Sequence, residues 1–519
     1  MKFLTSLVCL GVVLIAQNAS GYNILGVFPT PGRSHYILGS SLMKGLAQAG
    51  HNVTIVAAYK QEIPVENMRE IVVAMTPADS LSEILYQLTN KSPSEQIRDV
   101  LAYGLLFTDE TLSDPNVKDL MSSGESFDLV IIEIFYSESL LGFGRIFNAP
   151  VIGFSTFGAA KSSTDLNGSP SPLSYVPHFQ FTFSDRMSFM QRLRNVLLTT
   201  YENVYMDMYY DDKQTALYNK HFPDPKPDLK DIWKTKMPLV LLNSHFSLNH
   251  PRPYLPSMVE IGGFHIKRKP KPLPKDLQEF LDHSPNGVIY FSMGSTLHGV
   301  HFPTEKRNAI LRVFSRLPVK VLWKWEDDTL PGKPENVLIR KWFPQDDILA
   351  HPNVRFFITH GGLLSTMEAT YHGVPVIGIP IFGDQMMNMA KAEAAGYGLT
   401  VKFGNFSEES ISWAINELLS NDKYSIRAKT ISARFRDQPE DPMSRAVYWI
   451  EYVARHGGAK HLISGGQELS FIQYHNLDVF ALLLAVPLLI FVILKRMFRK
   501  LMKKICKRTC KENLTKKLK

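Results

Sequence analysis

Three consecutive residues in the second half of the chain, His360-Gly361-Gly362, have the types and the setting of a phosphate-binding turn. They follow Val354 to Thr359, an apolar and β-branched run that predicts a buried strand of a parallel sheet. Leu363 to Tyr371 then predicts a helix. Glycines let the backbone approach a ligand, and a helix start presents unpaired N–H groups at its positive dipole end. Because a histidine there can add a hydrogen bond, the pattern predicts a diphosphate site.

A second turn has the same character. Gly294-Ser295-Thr296 follows Val288 to Ser292, another predicted buried strand. Its backbone N–H groups and the Ser295 hydroxyl can donate hydrogen bonds to phosphate oxygens.

The first half of the chain offers a general base. His35 lies in a loop after the predicted strand Asn23 to Val27, beside a helix predicted for Tyr36 to Ala49. Ligands of open α/β sheets bind at the carboxyl ends of strands, and a histidine there can take a proton near neutral pH. Glu133 ends the predicted strand Phe127 to Ile134 and is the candidate acid that orients the ring. This half lacks the glycine fingerprints of dinucleotide and P-loop sites, which argues against NAD and ATP.

These residues lie in a stretch that resembles the signature of a known protein family. Trp342 to Asn388 resembles the signature of the UDP-glycosyltransferases, membrane-bound animal type, in residue types and spacing over nearly the whole stretch. The resemblance extends from Asn23 to the tail, is closest to the insect UDP-glucosyltransferases, and includes the related mammalian UDP-glucuronosyltransferases. It implies a GT-B fold, in which two doubly wound α/β domains face a cleft. It also implies inverting transfer of a hexose from a UDP-sugar to a hydroxyl.

The resemblance assigns expected roles residue by residue. His35 and Glu133 are the expected catalytic pair, although the family usually has Asp where Glu133 stands. Trp342 is expected to stack on uracil, Gln345 to bond the base or ribose, and Glu368 to accept the ribose hydroxyls. The remaining expected donor-binding residues contact the diphosphate or the sugar: Ser295, His360, Gly362, Ser365, Asp384 and Gln385. Ser365 is included because many relatives have Asn where this chain has Leu364.

No cluster of His, Cys and Asp with metal-ligand spacing stands out in the sequence, so we expect neither a metal nor another cofactor. The UDP-sugar is then a co-substrate.

One residue bears on the sugar. Glucuronate-using relatives often have Arg before the Asn-Ser pair, where this chain has Leu242. Without that cation a charged sugar is less well compensated, which favours UDP-glucose. UDP-glucuronate remains an alternative, and so does a protein that binds a UDP-sugar without turnover, given Glu133 and Leu364.

The net charge of +8 is concentrated in the tail. Residues 495–519 hold 12 Lys or Arg and one acid, a charge of +11, which leaves the rest at 8 − 11 = −3. The body is therefore not basic, and nucleic acid is not an expected partner. Val479 to Leu494 is free of charged residues and predicts a short membrane-spanning helix before the basic tail.

The two ends of the chain predict the cellular location of the protein. Met1 to Gly21 has the pattern of a secretory signal, and the Lys-rich end resembles an endoplasmic reticulum retrieval signal. We therefore expect a single-pass type I protein of that membrane with lumenal domains, and homo- or hetero-oligomers are possible. The three cysteines, Cys9, Cys506 and Cys510, all lie outside the predicted lumenal body.

The predicted organisation has seven segments. They are the signal (1–21), an acceptor-binding domain (22–265), a linker (266–285), a UDP-sugar-binding domain (286–437), a helix crossing back with a pre-membrane segment (438–476), the membrane helix (477–494) and the cytosolic tail (495–519).

Long insertions in the first domain are rich in Leu, Met, Phe and Tyr, and we expect them to form an apolar pocket for a small lipophilic acceptor. Lumenal Asn-X-Ser/Thr triplets, which predict possible glycosylation, occur at Asn52, Asn90, Asn167 and Asn405.

Overall fold

The protein is described by a computed structural model that covers residues 21–76, 78–229, 231–232 and 237–517. The predicted secretory signal lies outside these residues except for its last glycine. Described residues up to Ser464 form one compact unit, and residues 465–519 form a second.

The first unit contains two parallel β-sheets. The strands of the first sheet are β1 (Asn23–Phe28), β2 (Asn52–Ala57), β3 (Met68–Val72), β4 (Leu129–Glu133), β5 (Val151–Ser155), β6 (Val240–Leu242) and β7 (Met258–Glu260). Those of the second are β8 (Val288–Ser292), β9 (Lys320–Lys324), β10 (Val337–Arg340), β11 (Val354–Thr359), β12 (Val376–Gly378) and β13 (Gly398–Thr400). The spatial orders are β3-β2-β1-β4-β5-β6-β7 and β10-β9-β8-β11-β12-β13.

Each sheet reverses its strand order at one place, beside β1 in the first and beside β8 in the second. At such a switch point the chain leaves neighbouring strands in opposite directions and opens a crevice at their carboxyl ends. Both crevices lie at strand ends where the sequence predicted candidate functional residues. The two doubly wound sheets are the GT-B architecture that the sequence predicted.

Helices cover the sheets. In the first half they are α1 (Arg33–Gln48), α2 (Ala78–Gln87), α3 (Pro93–Ser113), α4 (Pro115–Ser122), α5 (Gly142–Ile146), α6 (Lys161–Asn167), α7 (Phe189–Tyr205) and α8 (Asp211–His221), with a π-helical turn (Met206–Tyr210) between the last two. In the second half they are α9 (Lys275–Asp282), α10 (Thr304–Phe314), α11 (Gln345–Leu349), α12 (Leu363–His372), α13 (Gln385–Ala395), α14 (Glu408–Ser420), α15 (Lys423–Arg436) and α16 (Pro442–Arg455).

Helix α1 begins three residues earlier than predicted. Gly32 is its N-cap, so His35 stands in the first turn of the helix and not in the preceding loop. A side chain in a first turn is held by the helix backbone, which fixes the histidine more firmly than a loop would.

Helix α16 returns to the first sheet, as the resemblance implied. Ala446, Ile450 and Val453 are fully buried in one cluster with the apolar face of α1. The approach is close, because a Cβ at Gly45 would stand 2.1 Å from the sulfur of Met443. The C-terminal end of the second half is therefore fastened to the first.

The second unit contains a short helix, α17 (Phe471–Tyr474), and a long one, α18 (Leu477–Lys517). Residues 477–508 are long and apolar enough to cross a membrane. The predicted span, residues 477–494, lies at the start of α18. The helix then continues through the basic residues that the sequence predicts as a tail.

One predicted glycosylation site does not fit the folded chain. The Asn167 side chain is buried, and its amide donates to the Ser257 hydroxyl at 3.0 Å. There is no room for a glycan on that nitrogen, so the prediction for Asn167 is wrong for the folded state. Asn52, Asn90 and Asn405 are exposed.

The packing of α16 on α1 yields a test. We expect Ile450→Ala to lower the free energy of unfolding by about 2–5 kcal/mol, because it removes a fully buried side chain and leaves a cavity. The control is Tyr448→Ala, at a residue of the same helix that is 51% exposed. It should lower the free energy of unfolding by no more than about 1 kcal/mol. Urea unfolding of the two variants measures both values, and equal losses would show that the contact does not hold the halves together.

Candidate active site

A cavity of about 510 Å³ lies between the carboxyl ends of the two sheets. His35 lines it from the first half, and His360 lines it from the second. The other predicted donor-binding residues also line it: Ser295, Trp342, Gln345, Gly362, Ser365, Glu368, Asp384 and Gln385. The fold therefore brings together side chains that are up to 350 positions apart in the sequence (385 − 35).

The histidine and the acid make contact. His35 Nδ1 is hydrogen-bonded to Glu133 Oε1, and Glu133 lies behind the ring, fully buried at the end of β4. The extra methylene of glutamate relative to the usual aspartate does not prevent the contact. Because Nδ1 bonds the carboxylate, Nε2 is the ring nitrogen that can receive a proton from a substrate.

Thr156 completes this group, and sequence reasoning missed it. Its hydroxyl lies 3.1 Å from His35 Nδ1 and donates to Glu133 Oε1 at 3.2 Å. The second carboxylate oxygen of Glu133 accepts from the Thr30 N–H at 3.4 Å. Thr156 follows the strand β5, so its place at the carboxyl edge of the sheet could have marked it.

The His360 ring is held where the phosphate pattern predicted it. Two glycines make room for it, since a Cβ at Gly294 or Gly362 would stand 2.5 or 2.3 Å from the ring. Burial, reinforced by the Lys324 ammonium, lowers the pKa of His360 to about 4. The imidazole is therefore neutral at neutral pH and can donate one N–H to a phosphate oxygen.

The start of α12 lies beside this ring. Gly362 is its N-cap, and the first-turn N–H groups of Leu363, Leu364 and Ser365 have no earlier carbonyl in the helix to bond. These N–H groups and the helix dipole form a site for a diphosphate.

Glu368 and Gln345 form a pair one turn further along. Gln345 Nε2 donates to Glu368 Oε2 at 2.6 Å and to the Ser365 hydroxyl at 3.1 Å. Burial raises the pKa of Glu368 to about 8, with the Gln345 hydrogen bond acting in the opposite direction. His265, absent from the predictions, lies 3.8 Å from the other carboxylate oxygen and also lines the cavity. Such a cluster can bond the hydroxyls of a ribose.

Asp384 and Gln385 begin α13. The Gln385 side-chain oxygen accepts from the N–H groups of Ile381 and Phe382 at 2.8 and 3.2 Å, so its NH₂ group is the part available to a sugar. Asn388 donates to Asp384 at 2.9 Å and to the Gly361 carbonyl at 3.0 Å, which ties the helix to the phosphate turn. Burial raises the pKa of Asp384, and this shift is opposed by Asn388, Lys391 and His35.

Trp342 stands at the rim of the cavity. Its indole is 46% exposed, and the Arg33 guanidinium lies 4.4 Å from the ring centroid. Since Arg33 belongs to the first half, this cation–π contact bridges the cleft. An uracil base can stack on the exposed part of the indole.

Leu242 does not occupy the position that its proposed role requires. It is fully buried in β6 within the core of the first domain and is not among the cavity-lining residues. The leucine therefore does not contact the cavity, and the structure gives no support to a link between this residue and the charge of the sugar.

The wall of the cavity that the first half forms is apolar. Its side chains come from α1, α2, α3 and the loops after β4 and β5: Ile37, Leu38, Leu81, Leu85, Val100, Tyr103, Phe107, Phe135, Tyr136, Phe157 and Phe179. The long insertions therefore build an apolar wall of the cavity, and binding of an acceptor there stays a prediction.

Helix α2 belongs to both halves. The Ser82 hydroxyl accepts from the His298 N–H at 2.9 Å, and the Tyr86 hydroxyl donates to the His298 carbonyl at 3.3 Å. The Tyr86 ring also packs against Phe302 and Phe403 of the second half. One face of α2 thus lines the cavity, while another is hydrogen-bonded to the second half of the chain.

No group of three or more His, Cys, Asp or Glu side chains that could hold a metal ion occurs in the part of the chain that the structure describes.

Comparison with known proteins agrees with this geometry. Residues 27–512 match the family model described as UDP-glucoronosyl and UDP-glucosyl transferase. The chain is 39% identical over 477 residues to UDP-glycosyltransferase UGT5 of Dactylopius coccus, covering 90% of each. It is 36% identical to UDP-glucosyltransferase 2 of that insect (93% of this chain, 94% of the relative) and 33% identical to human UDP-glucuronosyltransferase 2B15 (90% and 91%).

Solved structures share the fold at low identity. A UDP-glucosyltransferase of Polygonum tinctorium, in complex with 3,4-dichloroaniline, matches with a TM-score of 0.56 and 18% identity, covering 84% of this chain and 99% of that one. The glycosyltransferase VinC matches with a TM-score of 0.58 and 14% identity, covering 84% and 100%.

Because the family model matches most of the chain and the relatives are similar over nearly their whole length, this protein belongs to the UDP-glycosyltransferase family and is a glycosyltransferase enzyme.

Proposed function

We propose that the protein transfers glucose from UDP-glucose to a hydroxyl of a small lipophilic acceptor, with inversion at the anomeric carbon. The observation that carries the proposal is the contact of His35 with the buried Glu133, on a cavity that the donor-binding residues line from the other side.

In the proposed mechanism, His35 Nε2 removes the proton of the acceptor hydroxyl. The oxygen forms a bond to the anomeric carbon as the bond from that carbon to the UDP oxygen breaks, and UDP keeps the electron pair. Glu133 and Thr156 hold the ring and stabilise the imidazolium. The first turn of α12, His360 and Ser295 stabilise the charge that develops on the diphosphate, without a metal ion.

The donor sugar is the finer part of the proposal. Glucose is supported by the 36% identity to a relative named a UDP-glucosyltransferase. The human relatives are named UDP-glucuronosyltransferases, so glucuronate is the competing donor. Leu242 no longer contributes to the choice.

The proposed function also includes the acceptor and the cellular location. An apolar wall rich in aromatic rings favours an uncharged, lipophilic hydroxyl compound. We propose that α18 anchors the protein in the endoplasmic reticulum membrane, with the catalytic domains on the lumenal side and the basic residues in the cytosol. Conjugation of lipophilic compounds, as in detoxification, is the role that suits this setting.

His35→Asn tests the base. We expect it to lower kcat by roughly 10²–10⁴, because proton transfer in the transition state is lost. UDP affinity, measured by calorimetry, should be unchanged because the nucleotide contacts belong to the other half. Thr156→Val is the matched variant and should lose less activity, since the Glu133 contact to the ring survives.

Two results would contradict this mechanism. One is His35→Asn turnover close to that of the wild type. The other is wild-type turnover that disappears in EDTA, which would replace the metal-free leaving group by a metal-dependent one.

Glu368→Gln tests the buried carboxyl. Because the pKa of Glu368 is raised, the folded chain keeps a proton between pH 4.5 and about 8 that the unfolded chain releases. This group's contribution to stability therefore falls as pH rises through that window. The free energy of unfolding of the Gln variant, relative to wild type, should increase over the same range.

Urea unfolding at several pH values measures this difference. Glu305→Gln, at an exposed helix position, is the control and should show no such trend. A Glu368→Gln difference that does not vary with pH would mean that the carboxyl is ionised throughout.

Donor competition decides the sugar. The purified full chain is given equal UDP-glucose and UDP-glucuronate with a panel of phenols, and the products are identified by mass spectrometry. We expect glucosides to dominate. Glucuronides as the sole products would overturn glucose while leaving the family and the fold untouched.

A further inference from the structure

The imidazole ring of His265 is buried and makes no hydrogen bond. Its side chain is 2% exposed, and neither ring nitrogen has a hydrogen-bonding partner within the residues that the structure describes. A buried polar group that loses its bonds to water without replacing them destabilises the fold, so such a group calls for a partner. Because the ring also lines the cavity, a molecule bound there can reach it.

One carboxyl oxygen of Glu368 faces this ring. Glu368 Oε1 lies 3.8 Å from His265 Nε2. That separation is too long for a direct hydrogen bond, but a hydroxyl placed between the two groups can bond both at ordinary distances. The other carboxyl oxygen is bonded to Gln345 Nε2 at 2.6 Å, so the oxygen that faces His265 is the one that a ligand can use.

The two groups suit an uncharged ligand. Burial lowers the pKa of His265 to about 4, against the opposing effect of the Asp346 carboxylate, so the ring is neutral at neutral pH. Burial raises the pKa of Glu368 to about 8. A neutral imidazole has one N–H donor and one acceptor nitrogen, and a hydroxyl can donate and accept. A sugar hydroxyl therefore matches the pair better than an ion does.

The neighbours of the pair identify the sugar. Gln345 bonds Glu368 and also, at 3.1 Å, the Ser365 hydroxyl in the first turn of α12, which is the proposed diphosphate site. Trp342, the expected stacking partner of the base, lies three positions before Gln345. The ribose of a nucleotide joins its base to its diphosphate. Its hydroxyls, and not those of the transferred hexose, are therefore the ones that reach this pair.

The segment that carries His265 is fixed against the second half of the chain. The Lys267 N–H donates to Asp346 at 3.1 Å, and the Lys267 ammonium pairs with Asp347 at 2.7 Å. Both aspartates belong to α11, which begins at Gln345. The imidazole therefore holds its position beside the carboxyl before a ligand arrives, which lowers the entropy lost on binding.

We propose that His265 is a nucleotide-binding residue, whose ring bonds the same ribose hydroxyl that Glu368 bonds. It adds one contact from the end of the first half to a nucleotide site that the second half otherwise forms. The nucleotide then joins the two halves beside the segment that connects them. This inference rests on the proposed donor site.

Deoxynucleotides test the contact. Calorimetry on the full chain in detergent measures the affinities for UDP, 2′-deoxy-UDP and 3′-deoxy-UDP, in the wild type and in His265→Phe, which keeps a flat ring without polar atoms. We expect His265→Phe to bind UDP about 3- to 10-fold more weakly than the wild type, because one hydrogen bond is lost. For one of the two deoxynucleotides the two proteins should differ by less than about twofold, because the bonded hydroxyl is already absent.

The matched control is His245→Phe. His245 is also a buried histidine near the end of the first half, but it is not among the residues that line the cavity. This variant should leave all three affinities unchanged. Urea unfolding of His265→Phe should show no loss of stability, because an apolar ring replaces a buried imidazole without hydrogen bonds.

The possible failures are distinguishable. If His265→Phe weakens all three nucleotides equally, the ring has a structural role and the proposal is overturned. It is also overturned if the wild type binds UDP and both deoxynucleotides equally well. UDP binding by His265→Phe at wild-type affinity overturns the proposal and leaves the proposed donor site intact. No UDP binding by the wild type overturns the donor site as well.

Discussion

The His35 side of the cavity depends on a carboxyl group that has no access to water. Glu133 is fully buried at the end of a central strand, and a charge in that position is strongly unfavourable unless it is paired and hydrogen-bonded. Its partners come from the segments that follow two strands: the Thr30 N–H and the His35 ring follow β1, and the Thr156 hydroxyl follows β5. The parallel order of the sheet is what brings these segments to one edge. The orientation of the imidazole is therefore set by the need to satisfy a buried charge.

The donor half deals with charge in the opposite way. His360 is neutral because it is desolvated, and Glu368 holds a proton more tightly than a free carboxyl because it is buried. The groups around His360 are mainly N–H donors, glycine turns and a helix start. Such fixed dipoles would need no reorganisation if negative charge developed beside them. The two halves thus offer different things, an oriented histidine in one and a set of fixed dipoles in the other.

Much of the second half of the site was predictable from the sequence, because its strand, turn and helix follow one another along the chain. The β11 strand, the glycine turn and α12 are encoded in adjacent residues, and the donor-binding side chains follow that frame. Three features depend on contacts between distant segments, so the local pattern of residues did not give those contacts. Thr156 reaches Glu133 only through strand order, Leu242 points into the core because of its register in β6, and Asn167 is buried by Ser257. A linear pattern does not say which way a strand residue faces. The boundaries of the predicted domains stay predictions.

Helix α2 has one face in the cavity and another against the second half of the chain. The residues that shape the apolar wall of the cavity are therefore not confined to the half that forms it. A chimera that joins the first half of this enzyme to the second half of a relative would pair Tyr86 with foreign neighbours in place of Phe302 and Phe403. Such hybrids would inherit a displaced pocket wall unless the turn around His298 were exchanged with α2. Recombination between relatives should thus preserve these two segments as a linked pair.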